Sequence, residues 1–419
     1  MTTITLEFLQ DLLKNDYPDV TIEDFEGAPG SKRGDNYTSM VYRITLKGVQ
    51  KSFEGMEPWT GSIIYKCLPE SILRREAFKS DELFCNEVAF YKKIWPKLSS
   101  FQDHWNLAHP FRSIPTCYLA QNDLVILKDL KEQGFVMPDR RQGLTIEQCY
   151  VVLKNLAQFH ALSLAMKSYD PEGFHELLNV QDGISEVFFL VENENYYKSY
   201  YIEAARNAIS MVEQELADCA EKKKYLDKFE SFCSEDTFFQ TMVEMVSPKE
   251  PLAVICHGDC WTNNFLFRYV NEDIAEMFIV DFQLARYASP TLDLAYIVYL
   301  CLDKQQRAAH MSSLIEYYTD VLHRRVTEMC DGVYGIDRNT FYDMITKEFR
   351  QCSRFGLGIA LDMYPIMTCD SDEAPNLYQS KESEVTQTHE EVKPVWTSNA
   401  NCRRKMTDIV VELVDAELL

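Results

Sequence analysis

Apolar positions in the first 130 residues change between helical and strand-like spacing. Residues 4–13 repeat apolar side chains at helical intervals, which is typical of an amphipathic helix packed on a core. A helix is also expected over 78–98, and the Gln-Asn-Asp sequence at 121–123 predicts a hairpin. Runs rich in β-branched and aromatic residues predict strands at 41–46, 62–68, 116–120 and 124–127.

From residue 131 the pattern becomes mainly helical. The stretch 145–167 predicts a long helix that a Thr-x-x-Gln capping box opens. Further helices are expected over 186–246 and 291–364, with short apolar strands over 252–282 between them.

The end of the chain divides into two segments. Residues 370–393 are polar, acidic and nearly free of large aliphatic side chains, which predicts a mobile surface insertion. Residues 402–419 recover helical spacing and are expected to pack back as a closing helix. We therefore predict the α+β class with two lobes, an N-terminal one over 1–130 and a mainly helical C-terminal one over 131–419.

The composition is that of a globular protein with a strongly acidic balance. The 419 residues include 42 Lys plus Arg and 65 Asp plus Glu, and 42 − 65 gives a net charge of −23. That charge repels phosphate backbones and anionic lipid, which disfavours nucleic acid and membrane surfaces as partners. No run approaches the about 18 apolar residues of a membrane span, and the N-terminus does not resemble a signal peptide. We expect a soluble, cytoplasmic protein.

The 13 cysteines are an odd number without the paired spacing of a disulfide framework. Cys256 and Cys260 form a near-pair, but no second pair completes a zinc site. Free thiols are the expectation.

The candidate chemistry is concentrated in HGDCWTNN at 257–264 and in the strand-Asp-Phe sequence that follows. Phosphoryl transfer needs a carboxylate that orients the attacking hydroxyl, and oxygen ligands for magnesium on the phosphates. Asp259 suits the first task, and Asn264 with Asp281 suits the second. Taken alone, each of these residues is typical of a side chain that caps backbone amides in a turn. Their combined spacing favours phosphoryl transfer. His257 is interpreted as a hydrogen-bonded support of the loop.

A nucleotide site also needs a cation and a loop over the phosphates. Lys66 lies in the middle of an apolar strand, where a bare ammonium is costly to bury, and Glu87 on the apolar face of the next helix is its expected partner. In the loop 31–39, Asn36 and Ser39 are candidates to present amides and hydroxyls to phosphate.

The segment 124–130 is expected to join the lobes. Its backbone at Lys128 and Leu130 is a candidate for bonding an adenine edge.

These residues carry a resemblance to the ecdysteroid kinase-like family of insects, which is related to choline kinases and aminoglycoside phosphotransferases. The matching segments span residues 34–299 in the family's order: GDNYTSMVYR, IIYK, NEVAFYKKIWPKL, GFVMPDRRQGL, LAQFHALS, HGDCWTNN and IVDFQLARYASPTLDLAY.

The resemblance implies a two-lobed protein-kinase-like fold and an ATP- and Mg-dependent kinase. It implies Asp259 as the catalytic base, Asn264 and Asp281 as magnesium ligands, and Lys66 with Glu87 as the ion pair.

It also implies structural roles for two residues and shows one departure. Asp293 matches a position that supports the catalytic loop, and His160 lies on a helix expected beneath that loop. The joining segment usually reads Glu-Asp-Leu, and Lys128 replaces the glutamate here. This puts side-chain contacts at the joining segment in doubt.

The acceptor implied by the resemblance is a small-molecule hydroxyl, with ecdysteroids and detoxification substrates as the class. Aromatic residues at 188–201 would suit a steroid-like pocket, cation–π binding of an amino alcohol, or simply a core. Arg140 and Arg141 are equally suited to phosphate contact and to anchoring the lobes. No obligate protein partner is inferred.

Two other classes of protein need residues that differ from those of an active kinase. A catalytically inactive kinase-like binding protein is expected to have lost Lys66, Asp259 or Asp281, and all three are present. A metal-dependent phosphohydrolase needs more histidine and carboxylate ligands than eight scattered histidines offer.

Overall fold

The computed structural model describes residues 4–31, 38–121, 123–332, 334–370 and 397–419. Asn36, Asn122 of the predicted hairpin and almost all of the predicted insertion at 370–393 lie outside the described residues.

The N-terminal part is a twisted antiparallel sheet with helices against it. In chain order its elements are α1 (Leu6–Leu13), β1 (Val20–Pro29), β2 (Met40–Ser52), β3 (Gly55–Cys67), α2 (Ile72–Ala77), α3 (Ser80–Ala89), α4 (Trp95–Asp103), β4 (Cys117–Gln121) and β5 (Leu124–Lys128). The strand order is β1-β2-β3-β5-β4. The strands predicted from β-branched and aromatic runs are confirmed as β2, β3, β4 and β5.

Most of the C-terminal part is helical, as predicted, with two short two-stranded sheets between its helices. Its elements are α5 (Ile146–Tyr169), α6 (Pro171–Leu178), α7 (Glu194–Glu215), α8 (Lys222–Phe232), α9 (Phe238–Val246), β6 (Val254–Cys256), β7 (Phe265–Val270), β8 (Asp273–Ile279), β9 (Arg286–Ala288), α10 (Pro290–Tyr296), α11 (Lys304–Glu328), α12 (Arg338–Thr368) and α13 (Ala400–Asp415). Strand β6 pairs with β9, and β7 pairs with β8. The α+β class is confirmed.

Local capping explains where two of these helices begin. Thr145 accepts the backbone N–H of Gln148, whose side chain bonds back to Thr145, so the capping box predicted for α5 is present. Asn399 caps α13, the predicted closing helix, and α13 packs against α7 and α12.

The helix that follows β3 belongs to the larger hydrophobic core. A π-helical turn at Phe90–Ile94 joins α3 to α4, and its Phe90 contacts Phe159 of α5. The smaller core lies on the other face of the sheet, where Leu9 and Leu13 of α1 pack. The sheet is therefore tied to the helical part through α3 and α4, and this arrangement positions the candidate site.

Within the described ranges, none of the helices is both long and apolar enough to cross a membrane. All 13 cysteines lie there as free thiols, as expected.

Candidate active site

Lys66 of β3 lies between two carboxylates from distant parts of the chain. Its Nζ is 2.6 Å from Glu87 Oε2 on α3 and 2.8 Å from Asp281 Oδ1, just beyond β8. Burial by itself would lower the pKa of Lys66, but the charges of Asp281 and Glu87 outweigh it and raise the pKa above its usual value. The ammonium is therefore permanently charged at neutral pH. The predicted Lys66–Glu87 contact is present, and Asp281 is an additional partner.

The two carboxylates differ in solvent access. The Glu87 side chain is 1% exposed and the Asp281 side chain is 21% exposed. Burial, together with the charge of Asp281, raises the pKa of Glu87 even though the Lys66 ammonium opposes that rise. Glu87 thus contacts Lys66 from the buried side, and Asp281 contacts it from the side that solvent reaches.

Asp281 has a left-handed backbone conformation, with φ of 68°. Aspartate is one of the few non-glycine residues that enter this region, and such conformations are concentrated at functional sites. The next side chain, Phe282, stacks on Phe90 with ring centroids 3.8 Å apart. This stacking in the core fixes the turn that carries Asp281.

Asp259 lies in the loop after β6 and is 8% exposed. Its Oδ1 accepts the Tyr296 hydroxyl at 2.7 Å, and its Oδ2 accepts Asn264 Nδ2 at 2.9 Å. Burial and the charge of Asp281 raise the pKa of Asp259, and these two donors lower it in part. A carboxylate with a raised pKa is suited to accept a proton.

The loop that carries Asp259 is held by Asp293 of α10. Asp293 accepts the backbone N–H groups of His257 at 2.7 Å and Gly258 at 2.9 Å. His160 Nε2 donates to the same carboxylate at 3.1 Å, while its Nδ1 accepts the Tyr318 hydroxyl. Burial would raise the pKa of Asp293, but its bonds from His160 and the loop lower it. Asp293 and His160 therefore lie beneath the loop, where the resemblance placed them.

His257 links this loop to the end of β8. Its Nε2 lies 2.9 Å from the carbonyl oxygen of Val280, so Nε2 carries the proton. Its Nδ1 then accepts the backbone N–H of Asp259 at 3.2 Å. Because Val280 directly precedes Asp281, these two hydrogen bonds link the backbone at Asp259 to the backbone next to Asp281.

Asn264 and Asp281 offer a set of oxygen atoms that fits magnesium. Asn264 Nδ2 donates to both the carbonyl and the carboxylate of Asp259, so the amide Oδ1 points away from Asp259. Asp281 Oδ1 accepts the Lys66 ammonium, and no donor among the described residues bonds to its Oδ2. Hard oxygen donors from one or two side chains, completed by phosphate and water, are what magnesium prefers in nucleotide sites.

In the segment that joins the lobes, the two candidate backbone N–H groups differ in their hydrogen bonding. The Lys128 N–H donates to the Thr116 carbonyl at 2.9 Å, and the Lys128 ammonium lies 3.9 Å from Asp16. The Leu130 N–H, in contrast, has no acceptor in the part of the chain that the structure describes. Between them, buried Asp129 bonds to Arg43 of β2 and to Ser62 of β3. Of the two candidates, Leu130 is therefore the one whose backbone N–H has no acceptor among the described residues.

Ser39 is buried directly before β2. Its neighbour Thr38 donates from its hydroxyl to Gln283 Oε1 at 2.8 Å. The described end of the predicted phosphate loop therefore contacts the residue two positions beyond Asp281.

Several residues that sequence reasoning did not select complete the site. Asn86, next to Glu87, donates to the carbonyls of Gln283 and Ala285. Arg286 donates to the Gly258 carbonyl, and its Nη1 is 2.7 Å from Glu186. Both residues lie inside segments that match the family, which is the sequence feature that could have indicated them: Asn86 opens NEVAFY and Arg286 follows the Asp-Phe-Gln sequence.

Residues left open by the sequence divide between core and surface. Phe189 and Tyr197 are buried, so they belong to the core, whereas Tyr196 is exposed and Tyr200 is half-buried. Arg140 donates to the Ile366 carbonyl, which makes it an anchor for the end of α12.

The profile of the ecdysteroid kinase-like family matches residues 33–330, more than two thirds of the chain. The chain belongs to this family. Family membership and the architecture identify the kinase-like fold and support a small-molecule phosphotransferase. A search of curated proteins found no match.

Solved structures with similarity include an ethanolamine kinase from Plasmodium vivax, 11% identical over 98% of this chain and 88% of its own, with a TM-score of 0.41. The GDP complex of wild-type aminoglycoside 2'-phosphotransferase IIIa is 13% identical over 87% of this chain and 91% of its own, with a TM-score of 0.37. The streptomycin–ATP complex of APH(2'')-IIa is 14% identical over 88% and 93%, with a TM-score of 0.32. The family match, and not these likenesses, carries the functional assignment.

Proposed function

We propose that this ecdysteroid kinase-like protein transfers the γ-phosphoryl group of ATP, with magnesium, to a hydroxyl of a small molecule such as an ecdysteroid or a xenobiotic. The observation that carries the proposal is the bridge of Lys66 between Glu87 and Asp281. This bridge brings together charged side chains from strand β3, helix α3 and the turn after β8, as phosphoryl transfer requires.

The chain's own residues divide the reaction between them. Asp259 accepts a hydrogen bond from the acceptor hydroxyl and takes its proton as the oxygen attacks the γ-phosphorus and the bond to the β–γ bridging oxygen breaks. Tyr296 and Asn264 hold the Asp259 carboxylate in one orientation. Lys66 contacts the phosphates in this proposal. Magnesium, held by Asn264 and Asp281, would neutralise phosphate charge.

The candidate from another class is a catalytically inactive kinase-like protein that binds a small molecule. The retention of Lys66, Asp259 and Asp281, with Lys66 in contact with Asp281, favours the enzyme. In a protein that binds no nucleotide, a buried lysine between two carboxylates would add little stability, because a buried ion pair is seldom more stabilising than apolar packing.

Thermal unfolding with magnesium and a non-hydrolysable ATP analogue, each alone and together, tests the nucleotide site. A ligand that binds the folded state raises the unfolding midpoint, and we expect a rise that needs both components. Absence of a shift at millimolar nucleotide would favour the inactive binding protein.

The Asp259→Asn variant tests the transfer step, with an ecdysteroid and a panel of hydroxylated compounds as acceptors and mass spectrometry as the readout. An asparagine still bonds to Tyr296 and Asn264, so the unfolding midpoint should stay close to that of the unaltered protein, while turnover falls by about 100- to 10,000-fold. The matched control is Asp273→Asn, at an exposed position on β8. Normal turnover of Asp259→Asn, or its unfolding, would refute the role.

A further inference from the structure

A groove between α12 and residues 417–419 lies apart from the candidate active site. Its volume is about 680 Å³, which is within the range of about 300–1,000 Å³ that small-molecule sites occupy. Arg350 of α12 donates to the carbonyl of Ala416 at 3.5 Å, so the two walls are in contact beside the groove. None of the lining residues belongs to the candidate active site, and the groove is therefore a separate feature of the molecule.

Three cationic side chains line the groove from one face of α12: Lys347, Arg350 and Arg354. Residues three and four apart lie on the same face of a helix, so this cationic stripe extends over about 10 Å of the helix axis. All three side chains are exposed, and none of them forms an ion pair with a described residue. Arg338, at the start of the same helix, instead pairs with two carboxylates of α11. Like charges at this spacing repel one another and destabilise a helix, and an anion in the groove would relieve that repulsion.

The acidic side chains of the groove do not neutralise this cationic stripe. Asp343 and Glu417 also line the groove, but neither is within ion-pair distance of the three cations. Asp343 precedes Arg354 by 11 positions, or about 16 Å along the helix axis, so it lies at the opposite end of the stripe from Arg354. Because the whole chain has a net charge of −23, long-range attraction does not favour an anion, and a local cluster of cations is required to bind one.

Leu418 and Leu419 form an apolar wall of the groove. Both side chains are half-buried and pack against the larger hydrophobic core. A hydrated inorganic ion gains nothing from such a wall, whereas an organic anion can bury its apolar body there. The lining therefore favours a ligand that is both anionic and partly apolar.

The number of cations favours a phosphate group over a carboxylate. A phosphate monoester carries a charge of about −1.5 to −2 at pH 7 and can bond two cations at once, whereas a single carboxylate would leave more of the stripe unpaired. The planar guanidinium of arginine matches the oxygen atoms of phosphate. Arg350 and Arg354 are one helical turn apart, which allows both to reach one phosphate group.

We propose that this groove is a second ligand site, which binds an organic phosphate: a small molecule with a phosphate group on an apolar body. Arg350 and Arg354 bind the phosphate oxygens, Lys347 adds to the positive field, and the apolar wall contacts the body of the ligand. The site goes beyond the proposed function, because no residue of the candidate active site contributes to it.

The test compares three probes: 1-naphthyl phosphate, 1-naphthol, which lacks the phosphate group, and inorganic phosphate, which lacks the apolar body. Affinities are measured by titration calorimetry without magnesium or nucleotide, for the unaltered protein, for Arg354→Gln and for the control Arg324→Gln, an exposed position on α11. We expect the unaltered protein and the control to bind 1-naphthyl phosphate at least about tenfold more tightly than either simpler probe. In Arg354→Gln the affinity for 1-naphthyl phosphate should fall by about tenfold or more, because a charge-assisted hydrogen bond is lost.

A second variant, Arg350→Gln, has the same expected effect. Both arginines are exposed, so both variants should fold as the unaltered protein does. The inference is overturned if 1-naphthyl phosphate does not bind, or if Arg354→Gln or Arg350→Gln binds it as tightly as the unaltered protein. It is also overturned if a simpler probe binds as tightly as 1-naphthyl phosphate, because equal affinity for inorganic phosphate indicates an ion site and equal affinity for 1-naphthol indicates an apolar cleft.

The response to magnesium and a non-hydrolysable ATP analogue distinguishes this result from the proposed function. An intact response without binding of 1-naphthyl phosphate that depends on Arg354 refutes the second ligand site alone. Binding that depends on Arg354, without any response to magnesium and nucleotide, supports the second ligand site and refutes the kinase.

Discussion

Replacing Lys66 by methionine is the most informative change to this site. Methionine has a similar volume and an unbranched apolar chain, so the variant removes the charge with little change in packing. Glu87, 1% exposed, then lies in the core with no cation beside it, whereas Asp281, 21% exposed, remains partly hydrated.

The expected loss follows from the burial of Glu87. Removing one partner of a buried ion pair costs about 3–5 kcal/mol, because the remaining charge is uncompensated. Protonation of Glu87 limits this cost, since neutralising an ordinary glutamate at pH 7 needs about (7 − 4.3) × 1.36, or roughly 3.7 kcal/mol. We therefore expect Lys66→Met to lose about 3–4 kcal/mol of unfolding free energy at pH 7.

Two further variants isolate the cause. In Glu87→Gln, Lys66 keeps its 2.8 Å contact with Asp281, so the loss should be smaller, about 1–2 kcal/mol. The double variant Lys66→Met with Glu87→Gln leaves no buried charge at this position and should recover most of the stability that Lys66→Met loses.

Denaturant titrations followed by tryptophan fluorescence and circular dichroism give the three values. Both variants that lack Lys66 should also lose the response to magnesium and nucleotide, whatever their stability. The reasoning is refuted if Lys66→Met is as stable as Glu87→Gln, or if adding Glu87→Gln to Lys66→Met destabilises the protein further.

Three other changes have distinct expected outcomes. Gly258→Ala places a Cβ 1.9 Å from the Leu284 carbonyl at a residue with φ of 86°, so it should lose about 2–4 kcal/mol in a denaturant titration, and an unchanged midpoint would contradict this. Tyr296→Phe removes a donor that lowers the pKa of Asp259, so that pKa rises and the acidic limb of the kcat/KM profile should move to higher pH; an unmoved limb would exclude the contact. Asn86→Ala leaves two loop carbonyls without their donor, and hydrogen exchange in the Asp-Phe-Gln loop should accelerate by at least about tenfold, with unchanged exchange the contrary result.

Local sequence patterns were sufficient for many of the elements, though not for β1, and for the candidate residues within one motif. The Thr-x-x-Gln box predicted the start of α5, and strand composition predicted β2 to β5, because capping and alternation act over a few residues. The spacing of Asp259 and Asn264 predicted that they share one loop, where they are hydrogen-bonded. Their roles in catalysis remain proposals.

Contacts between distant segments needed the tertiary structure. The sequence indicated Glu87 as a partner of Lys66, but the contact of Lys66 with Asp281 joins positions 215 residues apart. The same holds for the hydrogen bond that Tyr296 donates to Asp259, which joins positions 37 residues apart.

The amino-acid sequence by itself determined the α+β class, many of the elements and the family, because propensity, periodicity and motif spacing are properties of neighbouring residues. Only the tertiary structure decided that α3 packs into the larger core and that Phe90 stacks on Phe282. The simultaneous packing of helices far apart in the chain decides which surfaces contact each other. It also decides which charged groups are buried and whether they have an ion-pair partner.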